Sequence, residues 1–461
     1  MKKDFCFEGD QLTAEDILEF IKKHLEIRKD YIELENMYIG HHEILDQPDK
    51  PKPKPDNRLV VNHAKYIVDT FNGFFMGNRV KTNTEDDKIA EYLAHIERLN
   101  DIDDLNAELS KQCDIYGHGF ELLYMDEEAQ VGIVNISPKD CFLIKDNSIR
   151  QNTIAGVRYR ITDDDDIEGT YSDSEYIYYF TVKDDEITIV DEIPHPFLDV
   201  PIIEYVENTE RLGAFEPVKT LINAYNKAIS EKANDVDYFA DAYLLILGVW
   251  LEEQELQRLR DGRVINIAIE DEHSREFQSA KDMVVEFLEK PDADNTQENL
   301  LNRLEDHIFS LAMVANINDE KFGTASGIAL QYKLLSMSNL ANVKERKFVK
   351  GFNKRYELIS NVPNTPIAIE DLKDINYTFT RNIPNNLAEE VAVFKQLGVE
   401  VSNKTMLENL SIINDVETEK ERLEEENSFV IPLDYNFEEA EDAKNEDSDK
   451  HTDKPTDSLS D

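Results

Sequence analysis

Apolar residues recur at steps of three and four over several long stretches of this chain and alternate over others. Residues 13–38 predict a helix: Ile17, Phe20, Ile21, Leu25 and Ile27 share a face, Thr13 and Asp16 have capping-box spacing, and Gly40 is the stop. The run Gln47–Pro55, with a proline at every second position from Pro51, reads as an extended connector. Helical patterns follow over 62–76 and 86–116. From 120 to 206 the texture is that of strands, with hairpins predicted at 120–124/131–134 and 176–182/186–190 across acidic turns. Helices then return. From Pro217 to Leu247 apolar residues keep helical steps for about eight turns, roughly 45 Å. A second long helix is predicted near 296–315 and a third from 328 to about 360. Shorter segments lie between and after them: a strand at 264–269, a loop at 318–327, a strand at 376–381 and helices over 386–426. The fold class is α+β, mainly α-helical.

Charge changes this picture. The 461 residues carry 97 Asp and Glu against 50 Lys and Arg, a net charge of -47, spread along the chain. Such a surplus favours solubility and opposes adhesion to DNA or anionic membranes. A role with DNA would be one in which DNA passes rather than sticks. One stretch runs the other way: 333–355 holds seven cations (Lys333, Lys344, Arg346, Lys347, Lys350, Lys354 and Arg355) against Glu345 alone. Two readings stay open for it, contact with DNA and pairing with acidic neighbours. From Asp434 onward there are eleven acids, three lysines and few apolar residues, a composition expected to be disordered. The chain contains no apolar run of membrane-spanning length, and the start Met1-Lys2-Lys3-Asp4 leads into no secretory h-region.

Candidate chemistry is thin. There is no G-x-x-x-x-G-K-[ST] and no G-x-G-x-x-G. Cys6, Cys113 and Cys141 are too scattered for a disulfide framework or zinc site. His41-His42-Glu43 reads as surface loop, and Gly117-His118-Gly119 as a tight connection whose histidine has no partners. Asp163–Asp166 with Glu168 is the densest carboxylate cluster, but it lacks the spaced ligands and central Gly of a calcium loop. No metal, no cofactor and no catalytic residue is expected. The wet face of the 217–247 helix carries Asn226, Lys227, Ser230, Glu231, Asn234, Asp235, Asp237 and Asp241.

Four stretches, in order, resemble the portal proteins of long-tailed phages of Gram-positive bacteria. They are Pro55–Asp69 with Phe74–Asn78, Tyr116–Glu121, Phe215–Val218 with Ala224–Lys227 and Asp237–Leu244, and Phe322–Leu334. The sequence departs from the family at Thr324-Ala325, where Gly and Ser are commoner.

The resemblance implies a portal fold assembled as a ring of about twelve subunits. Residues 1–210 would be the wing, 211–247 and 296–317 the stem helices, 248–295 the clip and 318–327 the tunnel loop. Residues 328–363 would be the long helix spanning channel and wing, 364–433 the crown, and 434–461 the acidic tail. The tunnel loop, Asn318, Asp319, Glu320, Lys321, Phe322, Gly323, Thr324, Ala325, Ser326 and Gly327, would line the passage for double-stranded DNA. Glu231, Asn234, Asp235, Asp237 and Asp241 would face it from the stem. Implied partners are the terminase large subunit, scaffolding and major capsid proteins, and a head-tail adaptor. The implied location is the portal vertex of the virion, reached by assembly in the host cytoplasm. Two alternatives remain at this point: another structural ring, or an acidic metal-dependent nuclease or transferase acting through Asp163–Asp166.

Overall fold

The computed structural model describes residues 5–9, 11–51, 54–240, 244–247, 284–287, 294–317, 327–383, 419–420 and 422–423. The chain divides into two compact units, Met1–Ile383 and Pro384–Asp461. In the second, the described residues are helical and Arg422 pairs with Glu419.

The first unit opens with β1 (Phe5–Phe7) and α1 (Ala14–Ile39). Thr13 and Asp16 close a reciprocal capping box on α1, and Gly40 ends it at φ 98°, a conformation that costs a glycine little. Next come α2 (His63–Met76), β2 (Lys81–Asn83), α3 (Asp87–Leu99) and α4 (Ile102–Tyr116). The stretch that reads as one helical region over 86–116 is therefore two helices. Asp101, at φ 48°, turns the chain between them and serves as the N-cap of α4.

Eight strands follow: β3 (His118–Met125), β4 (Val131–Ile136), β5 (Cys141–Asp146), β6 (Thr153–Ile161), β7 (Ile167–Ser172), β8 (Tyr176–Lys183), β9 (Glu186–Pro194) and β10 (Ile202–Val206). They form two sheets, ordered β1-β5-β6-β7-β8-β9 and β10-β3-β4. Among the described residues only the β1–β5 pairing is parallel. Both predicted hairpins are present, as β3–β4 and β8–β9.

The helical half begins at α5 (Lys219–Ala240). It is shorter than predicted: Leu244–Leu247 is a strand, β11, paired antiparallel with β12 (Val284–Phe287). A four-residue apolar run continues a helical stripe as readily as it makes a strand, so periodicity alone could not place this boundary. The strand predicted at 264–269 lies outside the described residues, as do most of 248–295. Then come α6 (Asp294–Ala312) and α7 (Gly327–Ser360), the latter with 34 residues.

Finally β13 (Asn376–Thr378) pairs with β2. Residues up to Ile383 thus belong to the first unit. Backbone pairing ties 376–378 to the N-terminal half. The main core runs through all these helices: Phe71 and Phe75 of α2, Leu109 of α4, Ile222 of α5, Ile308 of α6 and Phe348 of α7 are all at most 1% exposed. Burying side chains of this size contributes roughly 2 kcal/mol each. α7 lies so close to β10 that a side chain at Gly351 would run into the Tyr205 ring.

Candidate functional site

The helix pair α5–α6 is antiparallel. Asp235, near the end of α5, accepts from Gln297 near the start of α6, and Lys232 pairs with Glu298. At the other end, His63 of α2 sits edge-on to both Tyr225 and Phe309. Burial pushes the His63 pKa down to about 4, so the ring that joins the two helices is neutral.

The polar face of α5 has a definite task from its middle toward its C-terminal end. Residues 57–61 run extended along it, and three alternate backbone N–H groups donate to side chains four residues apart. Asn57 donates to Asn234 at 2.6 Å, Leu59 to Ser230 at 2.9 Å and Val61 to Asn226 at 2.9 Å. The match is geometric: four helical residues rise about 6.0 Å and two extended residues about 6.6 Å. Lys50 adds an ion pair to Glu231, and the Asn57 amide donates to Asp237. Arg58 holds the strap's bend by donating to Leu45 O, Asp49 and Asp56. The first of the four sequence stretches thus wraps the root of the helix pair. It also reaches the loop beyond: Ile317 donates its N–H to the Tyr66 hydroxyl at 2.8 Å.

Of the residues expected to face a passage, Asn234 is buried under this strap, and Asp235 binds α6. Glu231 and Asp237 are exposed as well as bonded to the strap. Asp241 and Asn318–Ser326 lie outside the described residues, and Gly327 is the first residue of α7.

The basic helix α7 turns two of its cations inward. Lys344 is fully buried, 2.6 Å from Asp114 Oδ1 and 2.8 Å from Glu207 Oε2, and the Phe71, Phe75 and Phe348 rings lie 5.1–5.6 Å from its Nζ. Burial disfavours its charge, but Asp114 and Glu207 outweigh that and raise its pKa. Arg355, about three turns further along the same face, makes a two-pronged pair with buried Glu121 and donates to Asn106 at 2.8 Å. Lys354 binds Asp199, and Glu345 takes Arg381. The pairing reading therefore holds for these members of the basic stretch.

Two sequence readings need correction, those of His118 and His42. His118 has partners: its ring contacts the Tyr31 hydroxyl at 2.7 Å and Glu204 at 2.8 Å. Burial pushes Glu204 up, yet His118 and Arg211 more than reverse this and hold it well below the usual carboxylate range. Its neighbour Gly117 ends α4 at φ 85° against the Arg211 carbonyl, where a side chain has no room. His42 is buried rather than on the surface and accepts from Asn226, so it buttresses the strap. Asp163–Asp166 form the β6–β7 turn, with Asp165 at φ 63° and Asp166 paired to Lys183 at 3.5 Å. Among the described residues no group of three acidic, His or Cys side chains could hold a metal ion. No helix among them is long and apolar enough to cross a membrane.

Sequence comparison gives these features a family. A portal protein of Clostridium phage phiCD119 is 22% identical over 454 residues, covering 89% of this chain and 96% of its own. A solved chain from a structure described as "Neck of empty GTA particle computed with C6 symmetry" aligns over 74% of this chain and 86% of its own, with 12% identity and a TM-score of 0.43. The profile of the family described as "Phage portal protein, SPP1 Gp6-like" matches residues 17–432, and the chain belongs to that family of phage structural proteins.

Proposed function

We propose that this portal protein closes into a ring of about twelve copies at one capsid vertex, and that double-stranded DNA enters and leaves the head through its centre. The family match over 17–432 carries this reading. In it, α5 and α6 are the stem, the segment between them is the clip, and 318–327 is the tunnel loop at the narrowest point. Lys321, Thr324 and Ser326 approach the DNA most closely. Glu231, Asp237 and Asp241 supply an acidic wall from which a polyanion is repelled rather than held. Asn234 and Asp235 serve the stem from inside the subunit. The ring docks the terminase large subunit, scaffolding and major capsid proteins during assembly in the host cytoplasm, and afterwards a head-tail adaptor. The chemical work of packaging belongs to a separate motor.

Mass photometry and negative-stain microscopy of the full chain in moderate salt test the proposal. Rings of about twelve or thirteen subunits with a central hole are expected. Monomers or dimers at every salt and concentration would overturn it. Given rings, replacing Lys321, Thr324 and Ser326 with Ala is expected to alter DNA packaging while leaving ring formation intact.

A further inference from the structure

The chain leaves α6 through a bend that its own residues do not favour. Met313, the first residue past Ala312, sits at φ 57°. That left-handed position suits glycine, and a methionine there carries strain from its Cβ. Tertiary contacts hold the bend. Val314 is 3% exposed, and Ala315 packs against the core. The Asn316 amide donates to Glu305 of α6 at 3.2 Å, which turns the chain back toward the helix it has just left. At Ile317 burial gives out. The residue is 51% exposed, and its N–H donates to the Tyr66 hydroxyl of α2 at 2.8 Å.

Tyr66 is well placed to hold this point. Its ring stands edge-on to Phe309 at 5.4 Å, so α6 steadies the hydroxyl that then holds the chain leaving α6. The same helix is anchored to α7, where Phe75 meets Phe348 at 5.4 Å and Phe71 and Phe75 each lie 5.1 Å from the Lys344 Nζ. α2 thus braces both helices that flank 318–326. The two sides are held unequally. On the near side a hydrogen bond reaches Ile317 itself. On the far side the first buried side chain of α7 among the described residues is Leu334, seven residues or about 10 Å into the helix.

We propose that Tyr66 is a positioning residue for DNA passage: its hydroxyl pins Ile317 and so sets the direction in which the chain leaves α6 for 318–327. The proposal rests on the ring reading above. Tyr66 acts through the segment it anchors and is assigned no contact with DNA. One neutral hydrogen bond, set against a strained turn, makes an anchor that can open without unfolding the subunit. Losing it shifts a population of exits.

The test uses the full chain with Tyr66→Phe, with Met313→Gly and with both. Phe keeps the ring against Phe309 and removes only the hydroxyl; Gly removes the Cβ that strains the turn. Ring yield by mass photometry and melting temperature come first, and both are expected to match wild type. Hydrogen exchange is then read by mass spectrometry on the peptide containing Ile317. It is expected to be about fivefold faster in Tyr66→Phe, which corresponds to about 1 kcal/mol. The rate of DNA packaging, with each variant replacing wild type during head assembly, is expected to fall by up to about the same factor. Across wild type and variants, packaging should fall wherever exchange at Ile317 rises. The proposal is overturned if Tyr66→Phe leaves that exchange unchanged, or if exchange varies among chains that package equally. It is equally overturned if packaging changes only in step with ring yield or melting temperature. The joint change of Lys321, Thr324 and Ser326 to Ala is the reference. If wild type forms no ring, or if that change leaves packaging intact, the passage reading fails first and this proposal with it.

Discussion

Replacing Asp114 with Asn perturbs one proton in a sealed site. Lys344 and Asp114 are wholly buried and Glu207 is 7% exposed, so two carboxylates share one ammonium out of reach of water. The Lys344 Nζ also donates to Ser110 O at 3.2 Å, whereas Asp114 Oδ2 has no hydrogen-bond partner. A proton on the Asp114 carboxyl completes this arrangement: it neutralises the cluster and gives the pair a donor. The pKa moves accordingly. Burial pushes Asp114 up, the Lys344 charge pulls it back, Glu207 pushes it up again, and it settles well above the ordinary carboxylate range.

The sign follows from linkage. The folded state holds a proton that the unfolded chain releases near pH 4, so the stabilisation is fully present below that pH and is lost as pH rises toward the folded pKa. The slope is about 1.4 kcal/mol per pH unit for one proton. An Asn side chain stands in for the protonated acid without titrating. The stability of Asp114→Asn relative to wild type, from urea denaturation at matched protein concentration, is therefore expected to improve as pH rises above 5, until the raised folded pKa is reached. A difference that stays flat across that range would refute the shared-proton argument. Asp114→Leu is the control: it removes the hydrogen bonds to Lys344 and is expected to destabilise at every pH.

Arg355→Leu leaves the buried Glu121 carboxylate unpaired and is expected to cost about 3–5 kcal/mol; adding Glu121→Leu should recover most of it, as a thermal-melt cycle would reveal. Asn226→Ala with Ser230→Ala strands the Val61 and Leu59 N–H groups at about 1–3 kcal/mol each, and limited proteolysis should then cut within 50–61 earlier than in wild type. Changing Asp163, Asp164, Asp165 and Asp166 all to Asn is expected to leave ring yield and melting temperature unchanged, because the four carboxylates stand on a hairpin turn. A loss of assembly on that change would show that the turn belongs to an interface.

Much of the fold is legible because local rules and tertiary packing agree over most of the chain. The Thr13–Asp16 box and Gly40 mark both ends of α1 from the sequence, and acidic turns mark the hairpins. Failures have a common cause, residues whose partners are far away along the chain. Lys344 and Arg355 group with solvated charges in the sequence, yet they sit on the buried stripe of α7 with Leu334, Met337, Ala341, Phe348 and Ile359. The signal is their spacing, together with isolated acids in apolar settings, Asp114 between Cys113 and Ile115 and Glu121 between Phe120 and Leu122. His118 reads as partnerless because Tyr31 and Glu204 are each more than eighty residues away. The polar face of α5 reads as wet because nothing local reveals that an extended strap, rather than water, satisfies Asn226, Ser230 and Asn234.

The strap changes how the acidic surplus acts. A wall that repels DNA has to be built from carboxylates that stay charged and exposed, and part of the expected stem set does other work. Asn234 binds the backbone of the strap, and Asp235 joins the two stem helices. Lys344 and Arg355 are withdrawn into the body of the subunit, where they face the buried carboxylates Glu207 and Glu121. These two cations go inward together with three acids, Asp114, Glu121 and Glu207, so the exterior keeps nearly the whole net charge of -47. The repulsion proposed for the passage therefore rests on the whole exterior and its net charge. Reversing one stem carboxylate such as Glu231 should change DNA passage little, whereas several added cations along the same face should slow it, most strongly at low salt where the field reaches furthest.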